Sequence, residues 1–242
     1  MIDRLPAILL LLAAAAPPAL GASGVVLLDD GRAWTLADRV PQAATDAAWV
    51  RVIDGPDGPR FASRIEPLDG GIAWTIEAGH PAQRGRFRIT GAAVAELADD
   101  GTVRWQQAAD VPVCLPEWFA ETAVAADALL RDGARLRCLV PIGKARKLAP
   151  LSIRRLPDAA DGSRRYEVGP GSLGMRLFFG RQTIEVDADG RAVRAVRGQL
   201  EVARALDGRL RYADGEIRYA TPRPLGRLPP ELDPMRAQAP PQ

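Results

Sequence analysis

The stretch Gly70–Gly79, GGIAWTIEAG, decides the fold class. Ile72, Trp74 and Ile76 fall on one side of an extended chain, and smaller or polar residues fall on the other. Successive side chains of a strand face opposite sides, so this period of two predicts a strand with one buried and one solvated face. The preceding Asp69-Gly70 pair favours a tight hairpin turn.

The same alternation recurs along the chain, and Asp-Gly pairs separate most of the alternating segments. Ten such pairs occur. Together they predict a mainly β protein with a curved antiparallel sheet, or half-barrel, that meanders through about ten short strands. The alternating β and α units of a parallel sheet are absent. Further strand segments are 85–90 (GRFRIT), 101–107 (GTVRWQQ), 134–142 (ARLRCLVPI), 181–186 (RQTIEV) and 215–220 (GEIRYA).

Two helices are predicted to interrupt the meander. The main one covers Pro116–Arg131, because proline suits the first helical position and apolar residues then recur at helical spacing. We expect it to pack on the concave face of the sheet. A second, short helix is predicted over Ser172–Phe179, SLGMRLFF, after a Gly-Pro-Gly stretch.

The first residues are typical of a secretory signal peptide. A weakly positive start precedes the apolar run Leu5–Ala16, and small residues follow it. The run is shorter than the roughly 20 residues of a membrane span, although an uncleaved anchor is the alternative. We expect residues 1–22 to be removed and the mature protein to lie in the periplasm without a stable membrane span. Residues 24–220 would form one β-rich domain, and the Pro-rich residues 221–242 a disordered tail.

Charge excludes one class of partner. The net charge is +2, and arginines alternate with acidic residues along the whole chain. No concentrated basic patch for a phosphate backbone results, so nucleic-acid binding is not expected.

The two cysteines, Cys114 and Cys138, flank the predicted main helix. One disulfide is expected in an exported protein. A helix over Pro116–Arg131 is about 22 Å long, whereas the returning strand Ala134–Cys138 covers about 13 Å. The cysteines therefore meet only if the segment before the helix doubles back or the helix crosses obliquely. Two buried thiols are the alternative. A metal site is not expected, because two thiolates and a single distant histidine do not complete a zinc shell.

Catalytic signatures are missing from the sequence. His80 is the only histidine, and it lies in a polar turn. No Gly-x-Ser-x-Gly elbow surrounds a serine, so no nucleophile has an adjacent base. We expect no catalytic residue, no enzymatic activity and no cofactor. An exported hydrolase with an unrecognised site is a remaining alternative.

Aromatic residues on the predicted apolar faces provide the candidates for a ligand pocket. A curved sheet covered by a helix is filled either by its own side chains or by a ligand. The first alternative makes these residues ordinary core, and the second makes them the wall of an apolar pocket. The candidates are Trp74, Ile76, Trp105, Trp118 and Phe119.

The segment from Glu117 to Tyr219 carries a family resemblance. Its helix, turn and strands, WFAETAVAADALLRDGARLRCLVPI and onwards to GEIRYA, are similar to those of uncharacterised exported bacterial proteins. In those families a helix packs on a sheet like that of the periplasmic lipoprotein-localisation factors. The resemblance implies noncovalent binding of a lipid or a lipidated protein in the concave face. The alternative is an envelope interaction or structural module whose core is filled by its own side chains.

Overall fold

The computed structural model describes residues 20–40, 49–56, 58–77, 84–142, 145–172, 174–177, 179–206 and 209–235. Its strands form a single antiparallel sheet, which confirms the predicted fold class. The strands are β1 (Leu20–Leu28), β2 (Ala33–Val40), β3 (Trp49–Gly55), β4 (Gly58–Leu68), β5 (Gly71–Ile76), β6 (Gly85–Ile89), β7 (Ala93–Leu97), β8 (Val103–Ala108), β9 (Arg135–Ile142), β10 (Lys147–Leu156), β11 (Arg164–Pro170), β12 (Gln182–Val186), β13 (Ala192–Leu206) and β14 (Arg209–Pro224).

The number of strands exceeds the prediction of about ten, since the described residues contain 14. β7 illustrates one reason. Val94, Ala95 and Glu96 are all buried in it, so both faces of the strand are covered. A strand buried on both faces has no alternation between apolar and polar residues and cannot be recognised by its period.

The sheet consists of two meanders joined along one seam. Neighbours in the sheet are neighbours in sequence except for β1 and β14, which pair from Gly24–Tyr219 to Leu28–Gly215. The free edges are β8 and β9. These edges approach each other, since the backbone N–H of Leu148 in β10 donates to Oε1 of Gln107 in β8 at 3.0 Å, but the sheet does not close into a barrel.

Most of the predicted Asp-Gly turns are confirmed by backbone geometry. Glycines of six of these pairs have positive φ: Gly31, Gly70, Gly101, Gly133, Gly162 and Gly190. The pair Asp214-Gly215 is different because it lies inside β14. A Cβ on Gly215 would overlap the carbonyl oxygen of Leu27 in β1, so this glycine permits close strand approach instead of a turn.

The main helix is confirmed, with a break. A 3-10 turn at Pro116–Trp118 leads into α1 (Phe119–Ala125), and α2 (Asp127–Arg131) follows after Ala126. All residues from Glu117 to Ala123 are buried. A surface helix buries a single stripe, so a helix covered on all sides must fill the concave interior of the sheet. The second predicted helix is a shorter 3-10 turn, Gly174–Leu177.

The prediction of a disordered tail needs correction for the residues described. β14 runs to Pro224, and a 3-10 turn covers Pro230–Leu232. Leu232 is fully buried, because the apolar interior offers this side chain a site that its Pro-rich surroundings in sequence do not suggest. We call residues 225–235 the C-terminal strap; residues 236–242 lie outside the described residues.

The start of the described chain is also strand. β1 begins at Leu20, and its first residues pair with the end of β2 from Leu20–Val40 to Ser23–Ala37. Most of the predicted signal peptide, residues 1–22, lies outside the described residues. Within them, no helix is long and apolar enough to cross a bilayer.

Candidate functional site

Four of the five predicted pocket residues come together in one place. Trp74 and Trp118 belong to a buried cluster, and Ile76 and Trp105 pack against it. Phe119 lies instead in the main core, a larger cluster that also contains Leu36, Ile53 and Tyr166. We call the smaller cluster the aromatic cluster. Its members are Val40, Trp49, Ile65, Ile72, Trp74, Phe87, Ile89, Val94, Val113, Leu115, Trp118, Leu148 and Leu232.

Strand register builds the floor of the aromatic cluster. Trp74 in β5 lies opposite Ile65 in β4 and opposite Phe87 in β6. The rings of Trp74 and Phe87 stack with centroids 5.2 Å apart, and Trp105 meets Phe87 edge-on at 6.5 Å. Cross-strand aromatic pairs of this kind stabilise a sheet face. The alternation seen in the sequence therefore does place these rings on one surface.

The C-terminal strap covers this floor. Leu232 belongs to the aromatic cluster and Leu228 packs against it. Among the described residues, the strap backbone is tied to the rest of the protein at its first two residues. The N–H of Leu225 donates to the Arg191 carbonyl at 2.8 Å, and the N–H of Gly226 donates to Oε1 of Glu121 at 3.1 Å. The cover is thus a segment held mainly by apolar side chains.

Indole N–H groups are the polar atoms of the aromatic cluster. The N–H of Trp74 donates to Oε1 of Glu117 at 3.2 Å. Those of Trp49 and Trp118 are buried and meet no hydrogen-bond acceptor among the described residues. The two rings are neighbours, with centroids 6.4 Å apart. Buried donors without acceptors are uncommon in native proteins and call for an explanation.

A network of buried charges lies beside the cluster, and sequence analysis missed it. Arg51 donates to both carboxylate oxygens of Asp38 at 2.9 Å and to Glu201 at 2.9 Å. The hydroxyl of Tyr219 donates to Asp38 at 2.9 Å. The signal was present in the strands: Asp38 and Arg51 occupy inward positions of alternating segments, where apolar residues are usual.

A second part of the network fastens the helix to the sheet. Arg223 of β14 donates to the two oxygens of Glu121 in α1 at 2.7 and 3.2 Å. The hydroxyl of Ser63 donates to Oε1 of Glu117. Burial raises the pKa of Glu117 above its usual value. These contacts link the helix to strands from both halves of the sheet.

The charged residues surround a small cavity. Arg51, Glu117, Tyr219 and Arg223 line it together with apolar residues of β12 and β13, and its volume is about 10 Å³. That volume is near the lower limit for one water molecule. This cavity is therefore too small for an acyl chain.

The far end of the helix is fixed by Asp127. Its carboxylate accepts hydrogen bonds from Tyr166 at 2.7 Å, from Arg155 at 2.6 Å and from Arg131 at 2.8 Å. Although desolvation opposes it, these donors lower the pKa of Asp127. The helix is anchored at both ends, whereas the strap backbone is tied only at its first two residues among the described residues. The strap is therefore held less firmly than the helix.

The disulfide between Cys114 and Cys138 is confirmed, and both residues are fully buried. The segment before the helix doubles back, as the spacing required. Val113 forms a parallel bridge with Leu139, and the N–H of Cys114 donates to the Leu139 carbonyl at 2.8 Å. This pairing brings the two α-carbons to 5.8 Å. It also covers part of the free edge of β9.

Metal-ligating side chains are not clustered in the described part of the chain. No group of three or more metal-ligating side chains occurs there. His80, the single histidine, lies outside the described residues.

Comparisons with known proteins add a likeness of shape. No protein-family model and no curated protein matches this chain. A similar solved structure is that of a beta-barrel-like protein of domain of unknown function DUF1849 from Brucella abortus. It is 9% identical, with 85% of this chain and 95% of that chain covered and a TM-score of 0.41. The likeness concerns a β-rich fold and carries no argument about function. Similarity to the lipoprotein-localisation factors stays a prediction.

Proposed function

We propose that this chain is a non-enzymatic periplasmic protein that binds an apolar ligand, an acyl chain or a lipidated partner, in the aromatic cluster. The ligand takes the place of the C-terminal strap. One observation carries the proposal: an aromatic floor inside a curved sheet is covered by a Pro-rich segment that inserts Leu232 and Leu228. A cover of this kind separates from the sheet at less cost than a strand or a helix anchored at both ends.

The residues of the aromatic cluster are suited to noncovalent binding of a hydrocarbon. The members of the aromatic cluster are apolar apart from their indole N–H groups. Such a surface gains free energy by removing hydrocarbon from water, at roughly 25 cal/mol per Å². The charged groups nearby are engaged with one another, as with Arg51 and Asp38 or Arg223 and Glu121.

A self-filled structural or interaction module of the envelope is the second candidate. Close packing favours it, since Trp74 and Trp118 are 3% and 1% exposed. In that case the strap is a permanent part of the core, and the protein acts through its surface. The two candidates differ in whether the strap can be exchanged for a ligand.

The Leu232→Ala variant separates the two candidates. Truncation removes about 2 kcal/mol of the free energy with which the buried Leu232 side chain holds the strap in place. Because the ligand competes with the strap, the apparent affinity for a fluorescent acyl probe is expected to rise about 30-fold. Native mass spectrometry of the purified protein should also detect bound lipid. Met235→Ala is the matched control, because Met235 lies in the same strap and is exposed. Absence of saturable probe binding and of bound lipid in every variant would establish the self-filled module.

A further inference from the structure

The small cavity between the helix and the sheet is lined by two side chains that each have a polar atom without a hydrogen-bond partner. Glu117 and Arg223 both line the cavity. Oε2 of Glu117 and Nε of Arg223 meet no partner among the described residues, and the two residues are 1% and 2% exposed. Buried polar groups of native proteins are bonded to protein atoms or to ordered water. An occupant of the cavity is therefore the available partner for both atoms.

The other polar atoms of the two side chains are engaged, so these two atoms are the ones left for the cavity. Oε1 of Glu117 accepts hydrogen bonds from side chains of β4 and β5. Both terminal nitrogens of Arg223 donate to Glu121. Nε of Arg223 lies 3.8 Å from Oδ2 of Asp38, which is too long for a direct hydrogen bond. Polar groups separated in this way are commonly joined through a water molecule.

Size and charge select the chemical class of the occupant. The cavity has a volume of about 10 Å³, which admits one molecule of the size of water. The guanidinium groups of Arg51 and Arg223 would repel a cation there, and the carboxyl groups of Glu117 and Glu201 disfavour an anion. The occupant must also accept a hydrogen bond from Arg223 and share one with Glu117. Water meets these conditions, and cavities that stay empty have apolar walls.

We propose that the cavity binds one long-lived water molecule, held by Nε of Arg223 and Oε2 of Glu117. The water connects the 3-10 turn before α1 to β14. Burial raises the pKa of Glu117, and the protonated carboxyl carries its proton on Oε2, because Oε1 already accepts two hydrogen bonds. Oε2 then donates this proton to the water. None of the residues that line the cavity belongs to the aromatic cluster, so the water site does not depend on the proposed ligand.

The test is a nuclear magnetic resonance measurement of Overhauser transfer from water to side-chain N–H groups in the isotope-labelled full-length protein. A comparison of laboratory-frame and rotating-frame spectra separates this transfer from proton exchange. We expect a cross-peak between water and the Nε–H of Arg223. The indole N–H of Trp49 is the control, because it is buried and lacks an acceptor among the described residues, but Trp49 does not line the cavity. It should show no such cross-peak.

Cavity-filling variants distinguish a bound water from nearby hydroxyl protons. Val196 lies in β13 and lines the cavity. Val196→Ile adds one carbon, which is close to a water molecule in volume, and retains the hydroxyls of Ser63 and Tyr219. The Arg223 cross-peak should be lost in this variant. Val193→Ile, at another lining position of β13, provides a second reading if the first variant does not fold.

A matched substitution outside the cavity controls for added volume in the core. Val202→Ile adds the same carbon to β13, where Val202 is buried but does not line the cavity. Its Arg223 cross-peak should match that of the wild type. Loss of the cross-peak in Val202→Ile as well would show that repacking of the core, and not displacement of a water, removes it, and would overturn the proposal.

The remaining outcomes also decide the proposal. Absence of the Arg223 cross-peak from the wild type would show that the cavity holds no long-lived water. Persistence of the cross-peak in both cavity-filling variants would assign it to hydroxyl protons and would overturn the water site. A cross-peak of equal strength at Trp49 would show that water reaches buried N–H groups without this cavity, which would overturn the assignment to the site. Each of these results leaves the proposed function to be judged by its own experiment.

Discussion

Glu117 is a buried carboxyl group, and its burial makes ionisation unfavourable. Oε1 accepts from Ser63 and Trp74, while Oε2 has no hydrogen-bond partner among the described residues. Desolvation raises its pKa more than the Ser63 hydroxyl and Arg51 lower it. A carboxyl whose pKa is higher in the folded protein than in the unfolded chain destabilises the fold as it ionises. The folded protein therefore favours the protonated form of Glu117 more than the unfolded chain does.

The Glu117→Gln variant should reveal this cost as a dependence on pH. Glutamine keeps an oxygen for Ser63 and Trp74 but cannot ionise. Below the usual pKa of 4.5, Glu117 is protonated in the folded and in the unfolded wild type, so the two melting temperatures should be close. As the pH rises from that value through the raised folded pKa, the wild type should lose stability relative to the variant. Thermal melts across this pH range are the measurement.

A matched exposed site controls for a general effect of removing a carboxylate. Glu66→Gln removes a carboxylate that is partly exposed and pairs with Arg64 at the surface. Its melting temperature should differ from that of the wild type only by the small amount that a surface ion pair contributes. If the Glu117→Gln curve runs parallel to the wild-type curve, the carboxyl at position 117 is not a source of pH dependence.

At the scale of elements, the helical segment holds the interior together through three different attachments. A disulfide fixes the chain just before the helix, Arg223 binds Glu121 in its middle, and Asp127 fixes its end. A buried ion pair contributes little net stability compared with apolar packing, but loss of one partner leaves a buried charge. The two ion-pair attachments therefore fix the position of the helix and add little to the free energy of folding.

Removal of the disulfide should lower stability without changing the fold. The bond closes a loop with a sequence separation of 24, which corresponds to about 3 kcal/mol in the chain-entropy model. The Cys114→Ser/Cys138→Ser variant should lose about this amount in urea denaturation. A reductant should lower the stability of the wild type and leave that of the variant unchanged. Equal stability of the two proteins without reductant would contradict a stabilising role for the bond.

On the scale of the whole molecule, the β1–β14 seam joins the two meanders into one sheet. No strand pairing joins β8 to β9 among the described residues, so β1 and β14 are the strands whose ladder connects the two meanders. Glycines lie on both strands of the seam. Gly24 in β1 and Gly215 in β14 each face a backbone carbonyl of the opposite strand, and the strands approach closely there.

Substitution of Gly215 by alanine should weaken the seam. The added Cβ would overlap the Leu27 carbonyl, and relief of the overlap requires the strands to shift, at about 1–3 kcal/mol. Urea denaturation of Gly215→Ala measures the loss. Gly91→Ala is the control, because a Cβ at Gly91 meets no atom within 4 Å. Similar losses in both variants would show that backbone flexibility of glycine, and not the close approach, is responsible.

Sequence patterns by themselves determined the class of fold, the turns and the main helix. Those features depend on local rules: a period of two for half-buried strands, positive φ at Asp-Gly turns, and helical spacing after Pro116. They also predicted that Trp74 and Trp118 face the interior, where both are found.

Tertiary structure alone decided the seam between β1 and β14, the burial of Asp38 and Arg51, and the docking of Leu232 over the aromatic cluster. Each of these depends on residues far apart in sequence. A charge at an inward position is tolerated only when an opposite charge meets it there, and a leucine in a Pro-rich tail is buried only when a surface is free to receive it. Local preference carries no information about such partners, because their positions are set by the packing of the whole chain.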